Sequence, residues 1–82
     1  MIRQEIAEQH GEDLLFLSEE YFDRAIIGVT NYGRVVYDMG EMIDILCAEE
    51  GGTTEEAIEY LEFNTWCAYV GSDTPIFVDL RD

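Results

Sequence analysis

The side chains best suited to chemistry in this sequence are carboxylates that recur at helical spacing. Three pairs stand three or four residues apart and so share a helix face: Glu55/Glu59, Glu59/Glu62 and Glu41/Asp44. Paired carboxylates can act as the acid and base of a hydrolytic enzyme. With 19 acidic residues among 82, however, such pairs arise by chance, and no neighbouring residues indicate a cleft. We interpret them as a solvated face.

Other kinds of reactive site are missing from the sequence pattern. It contains no calcium loop, phosphate loop, zinc helix motif or Ser-His-Asp arrangement. Cys47 and Cys67 are too few for a disulfide scaffold, and both lie in apolar helical patterns typical of buried reduced thiols. The single histidine, His10, is distant from both in a polar segment. We predict no enzyme activity, no bound metal and no cofactor.

The charge of the sequence is its most unusual property. Nineteen carboxylates face four arginines and no lysine, for a net charge of −15. Solubility of a small domain needs a net charge of only about 2–8. Such a field repels nucleic acid and anionic membranes and attracts basic proteins. With no membrane-spanning apolar run and no signal-peptide core, we expect an intracellular protein that contacts neither DNA nor a membrane directly.

The placement of the acidic residues suggests how a basic protein would be bound. Carboxylates three or four residues apart on a helix are about 5–6 Å apart, and duplex DNA presents one phosphate per roughly 3.4 Å of axis on each strand. Two rows of carboxylates could therefore replace phosphates in the nucleic-acid-binding groove of a basic host protein. The candidate partner-binding residues are Asp38, Glu41, Asp44, Glu49, Glu55, Glu59 and Glu62.

The acidic composition is also compatible with three alternatives. A salt-adapted host would favour acidic, lysine-poor proteins, although twelve Glu against seven Asp and the many large apolar residues argue against it. The charge could instead only solvate the surface. The alternative function is that of a structural or assembly protein, which would form a homodimer or larger homo-oligomer through the aromatic-rich principal helix.

The elements that position these residues are predicted to form one α+β domain over residues 1–82. A β-hairpin joins residues 25–30 to residues 34–37 through a loop at 31–33, with Gly33 in a left-handed conformation. The expected register pairs Val29 with Val35 and Ile27 with Tyr37 on the inner face. An antiparallel helix pair covers one face of the sheet, and a strand at residues 76–80 completes three strands.

The first helix of the pair follows the hairpin directly. Asp38 and Glu41 resemble a capping box at its start, and Gly51-Gly52 indicates its end. Its predicted apolar stripe consists of Met39, Met42, Ile43 and Leu46. A short N-terminal helix is predicted before the hairpin, at residues 18–23, with Ser18 as its cap and Tyr21 and Phe22 as its anchors.

The principal helix is predicted over residues 53–71, and the other elements pack onto it. Thr53 and Glu56 form a capping box at its start, and Gly71 stops it. Asn64 has a low helix propensity, and we expect it to make a buried polar contact that fixes the neighbouring loop. The predicted core side consists of Ala57, Leu61, Asn64 and Ala68, flanked by Ile58, Trp66 and Val70.

From Phe22 onward the sequence resembles a group of small acidic uncharacterised proteins encoded in bacteriophage genomes. The resemblance is carried by FD-x-AIIG at residues 22–28, RVVY at 34–37, A-x-EY-x-EFN at 57–64, AYVG at 68–71 and TPI at 74–76. Residues 1–20 are particular to this chain and form a variable N-terminal extension. The resemblance implies a setting in the cytoplasm of an infected bacterium. Small acidic phage proteins often inhibit host defence, as anti-CRISPR proteins do, which favours the DNA-mimic hypothesis.

Overall fold

The computed structural model describes residues 14–68, 71 and 74–80. These residues form an α+β fold with a three-stranded mixed sheet in the order β1-β2-β3. The weak helix predicted at residues 2–9 lies outside the described residues, as do Tyr69 and Val70. The elements in chain order are a 3₁₀ helix (Glu20–Ala25), β1 (Ile26–Val29), β2 (Val35–Asp38), α1 (Met39–Glu50), α2 (Thr54–Leu61), a π-helical segment (Glu62–Trp66) and β3 (Ile76–Val78).

The predicted hairpin is present, but its register differs from the expected one. Val29 pairs with Val35 as predicted, and Ile26 rather than Ile27 is the partner of Tyr37. A β-bulge between Ile26 and Gly28 leaves Ile27 out of the ladder and 48% exposed. Because one extra residue reverses the face of every side chain before it, the bulge exchanges the roles of the two isoleucines.

The hairpin turn has the predicted geometry at its glycine. Gly33 has a φ of +79° and donates its N–H to the carbonyl of Thr30 at 3.0 Å. The N–H of Thr30 in turn bonds the carbonyl of Arg34 at 2.8 Å. The positive φ explains why glycine occupies this position.

The third strand joins the hairpin, as predicted, and is shorter than expected. β3 pairs in parallel with β2, which is therefore the central strand. Phe77 stacks on Tyr37 with ring centroids 5.8 Å apart. Leu80, predicted to be the last residue of the strand, lies beyond it and is 63% exposed.

The helix before the hairpin starts two residues later than predicted and is a 3₁₀ helix. Its N-cap is Glu19, which makes no side-chain capping bond. The Ser18 hydroxyl instead donates to the Glu19 carboxylate at 3.1 Å, so the prediction of a Ser18 cap was wrong. The two anchors are confirmed: Phe22 is fully buried and Tyr21 packs partly buried against the core.

Both α-helices begin and end at the predicted signals, except the end of α2. Asp38 caps α1, and the two glycines after Glu50 have positive φ angles of 77° and 95°. Thr53 and Glu56 form the predicted capping box of α2. The α1 stripe is turned slightly from the predicted one, since Met42, Ile45 and Leu46 are buried while Met39 and Ile43 are half-buried.

The principal helix is shorter than predicted, and Asn64 gives the physical reason. Its side-chain Nδ2–H donates to the carbonyl of Tyr60 at 2.9 Å, which is the carbonyl that the Asn64 backbone N–H would bond in a regular α-helix. The backbone widens into π geometry at this point. The predictions that Asn64 and Ala68 are buried were wrong, and Thr65 is buried instead.

The core lies where the sheet, the 3₁₀ helix and the two α-helices meet. Its largest fully buried side chains are Tyr37, Phe22, Met42, Leu61 and Val35. The apolar run before the 3₁₀ helix has no regular secondary structure but packs on this core. There the Leu17 N–H donates to the Tyr37 hydroxyl at 3.0 Å, so the buried phenol has a hydrogen-bond partner.

Candidate partner-binding surface

The most exposed acidic feature is formed by Glu55, Glu59 and Glu62, which we call the α2 acidic row. The first two lie in α2 and the third begins the π segment. Their spacing of four and three residues places them along one face of the helical run. All three are exposed. Within the part of the chain that the structure describes, none of their carboxylates forms a hydrogen bond or an ion pair.

The α2 acidic row is unfavourable for the helix that carries it. The C-terminal end of a helix bears a partial negative charge, which cations stabilise. Glu59 lies in the last turn of α2, Glu62 follows it, and the last turn contains no basic residue. Like charges four residues apart cost a further few tenths of a kcal/mol, about 0.2–0.5. Local stability therefore does not explain why carboxylates occupy these positions.

The candidate residue that precedes α1 has a structural role. The Asp38 carboxylate accepts hydrogen bonds from the backbone N–H groups of Gly40 at 2.9 Å and Glu41 at 3.3 Å. Asp38 is half-buried as a result, whereas the side chains of Glu41 and Asp44 are exposed. Its charge is therefore directed to the N-terminus of the helix, where a carboxylate is favourable.

The candidate residue near the end of α1 is already paired. Glu49 accepts from the Arg24 guanidinium of the 3₁₀ helix at 2.8 Å. Arg34 is also engaged, since its Nε–H donates to the carbonyl of Thr74 at 2.7 Å. The two described arginines thus lie away from the α2 acidic row in their contacts, and neither neutralises it.

Two aromatic side chains next to the acidic row are exposed, which the sequence pattern did not predict. Phe63 is 81% exposed and Tyr60 is 43% exposed. Together with Glu56, Glu59 and Asn64 they line a shallow depression of about 430 Å³. The available signal was their spacing of three residues on the acidic side of the helix. Exposed aromatic residues of this kind are typical interface anchors.

The negative potential also affects a tyrosine on the neighbouring 3₁₀ helix. Burial raises the pKa of the Tyr21 phenol above its ordinary value, and the charges of Glu50 and Glu19 raise it further. Smaller contributions to this pKa come from Tyr60 and Glu49. Negatively charged surroundings disfavour a further negative charge, so the phenol holds its proton to higher pH.

The described residues offer little that resembles a metal or thiol site. Within residues 14–68, 71 and 74–80, no group of three or more His, Cys, Asp or Glu side chains could hold a metal ion. Cys47 is a half-buried free thiol and Cys67 an exposed one. The expectation that both are buried was wrong for Cys67, because the helical run ends just before it.

Neither a membrane-spanning helix nor a known relative points to a function for this chain. No helix among the described residues is both long enough and apolar enough to cross a membrane. Models of known protein families, curated proteins and solved structures give no match to this chain. Function must therefore be inferred from the surface itself.

Proposed function

We propose that this protein is a non-enzymatic, phage-type inhibitor that binds the nucleic-acid-binding groove of a basic host protein in place of nucleic acid. A CRISPR effector or another defence or nucleic-acid-handling protein in the cytoplasm of an infected bacterium is the kind of target we expect. The observation that supports this most is the α2 acidic row: three exposed carboxylates without a described partner on one face of a rigid helical run.

The charges of the row suit such a groove. Lys and Arg side chains that bind phosphates would meet carboxylates about 5–6 Å apart along α2. A cationic partner would also relieve the repulsion within the row and complement the negative end of the helix. The exposed ring of Phe63 beside the row would add apolar contact, which charge alone lacks.

Competitive elution from immobilised DNA tests this proposal. A bacterial lysate is loaded on DNA resin at low salt, and the resin is washed with the purified protein. We expect a discrete set of DNA-binding proteins to leave the resin in complex with it. The matched control is the variant Glu55→Gln/Glu59→Gln/Glu62→Gln, which keeps the shape of the surface and removes its charge.

The outcomes of this experiment separate specific mimicry from simple acidity. Polyglutamate of equal total charge serves as a second control, because it has negative charge without a fixed geometry. Elution by the protein but by neither control supports the proposal. If the protein elutes nothing, or if polyglutamate elutes the same proteins, the acidic row is not a substitute for phosphates.

A homo-oligomer is the second candidate function, and the exposed aromatic residues favour it. Phe63 and Tyr60 on the helical run could pack against the same residues of a second copy. The acidic row beside them would then face its own copy, and each protein carries a net charge of −15. Sedimentation at low and high salt tests this. A dimer that forms only at high salt and is lost in Phe63→Ser would support it.

A further inference from the structure

A groove between the two helices has a chemical character different from that of the acidic row. It has a volume of about 460 Å³, and we call it the Trp66 groove. Met39 and Ile43 of α1 and Ile58 of α2 form apolar parts of its wall. All three are half-buried, so each leaves part of its side chain accessible. Trp66, Glu62 and Asp79 complete the lining that matters for binding.

The π segment brings Glu62 and Trp66 to the same groove. A π turn is wider than an α turn, so residues four to five apart lie on one side of it. The indole of Trp66 is held in place, because its Nε1–H donates to the sulfur of the buried Met42 at 3.5 Å. The groove therefore has a positioned aromatic ring and an exposed carboxylate from one short segment.

The lining indicates the class of group that would bind. Apolar walls favour an aliphatic chain, whereas the exposed carboxylates of Glu62 and Asp79 favour a cation at its end. An aromatic ring attracts a cation as well, by about 0.5–2 kcal/mol depending on solvent exposure. An anion would meet two negative charges. A long side chain with a terminal cation satisfies all of these features.

We infer that the Trp66 groove receives an arginine side chain of the basic partner. Arginine fits better than lysine because its planar guanidinium can stack on an indole while it bonds a carboxylate with two parallel N–H groups. This inference rests on the proposed function, since it names one contact within the same basic partner. It adds a discrete subsite, formed by α1, α2 and the π segment, to a surface otherwise defined by charge.

Fluorescence of Trp66, the single tryptophan of the sequence, tests the inference directly. The protein is titrated at low salt with hexa-arginine and, separately, with hexa-lysine, and calorimetry measures total binding in parallel. We expect hexa-arginine to change the Trp66 emission to a saturating value. Hexa-lysine should bind more weakly and change the emission less.

Two variants of equal charge identify the subsite. Glu62→Gln should weaken hexa-arginine binding about tenfold, as expected for loss of a hydrogen bond to a charged group. Glu55→Gln, on the same helical run outside the groove lining, should weaken it less than about threefold, as loss of one exposed charge does. Urea denaturation of each variant checks that the fold is retained.

The result that overturns the inference is distinct from failure of the proposed function. Calorimetric binding with unchanged Trp66 emission, or equal weakening by both variants, would show that arginine does not enter the groove. Either result leaves a role for the acidic row intact. That role is tested separately by elution from immobilised DNA.

Discussion

The two α-helices begin with side-chain caps and both are acidic, yet they place their carboxylates differently. Asp38 closes the N-terminus of α1, and Glu49 near its other end holds Arg24 of the 3₁₀ helix. In α2, Glu56 completes the capping box, while the α2 acidic row makes no described contact. The difference separates carboxylates that stabilise the fold from carboxylates that are available to a partner.

The largest effect on stability should come from the cap of α1. Asp38→Ala removes the acceptor of two backbone N–H groups and should lower the free energy of unfolding by about 1 kcal/mol. Asp38→Asn, which removes the charge and keeps a capping oxygen, should cost much less. Urea denaturation followed by circular dichroism measures both. Equal losses in the two variants would mean that charge, rather than capping, accounts for the role of Asp38.

A charge reversal within the α2 acidic row should raise stability and abolish binding. Glu59→Lys places a cation four residues after Glu55, three before Glu62 and near the negative end of α2. Each new pair is worth about 0.2–0.5 kcal/mol, so we expect a gain of about 0.5–1 kcal/mol. Urea denaturation at low and high salt measures it, and the gain should shrink at high salt.

The control for this charge reversal is Glu59→Gln, which should give a smaller gain. Both variants should also lose the ability to elute proteins from immobilised DNA. Destabilisation by Glu59→Lys would contradict the account, because it would reveal a structural contact of Glu59.

The smallest effect should come from the ion pair between α1 and the 3₁₀ helix. Arg24 and Glu49 are 60% and 42% exposed in their side chains, so water screens their attraction. A double-mutant cycle with Arg24→Ala and Glu49→Ala should give a coupling energy of about 0.5 kcal/mol or less. A coupling above about 1.5 kcal/mol would show that this pair is a major link in the fold.

Local sequence signals predicted the elements well because their causes are local. The left-handed Gly33, the double-glycine end of α1 and the Thr53/Glu56 capping box each depend on neighbouring residues alone. The bulge was not predictable in this way. Ile26 and Ile27 are equally apolar, and which of them faces the core depends on how the sheet packs against the helices.

The candidate surface was predictable in its spacing and less so in its chemistry. Helical periodicity placed Glu55, Glu59 and Glu62 on one face, and all three are exposed. The engagement of Glu49 depends on Arg24, a residue 25 positions earlier in the chain. The shape of the Trp66 groove depends on the π segment, and the sequence marked that segment only through the unusual position of Asn64.

The central claim is that the α2 acidic row binds a basic groove in place of nucleic acid. Its most direct test is the affinity for a protein eluted from immobilised DNA, measured across a range of salt concentrations with DNA as a competitor. We predict that the affinity falls steeply with salt, that the slope is smaller for Glu55→Gln/Glu59→Gln/Glu62→Gln, and that DNA and this protein exclude one another. An affinity that is equal at low and high salt, or a ternary complex with DNA, would contradict the claim.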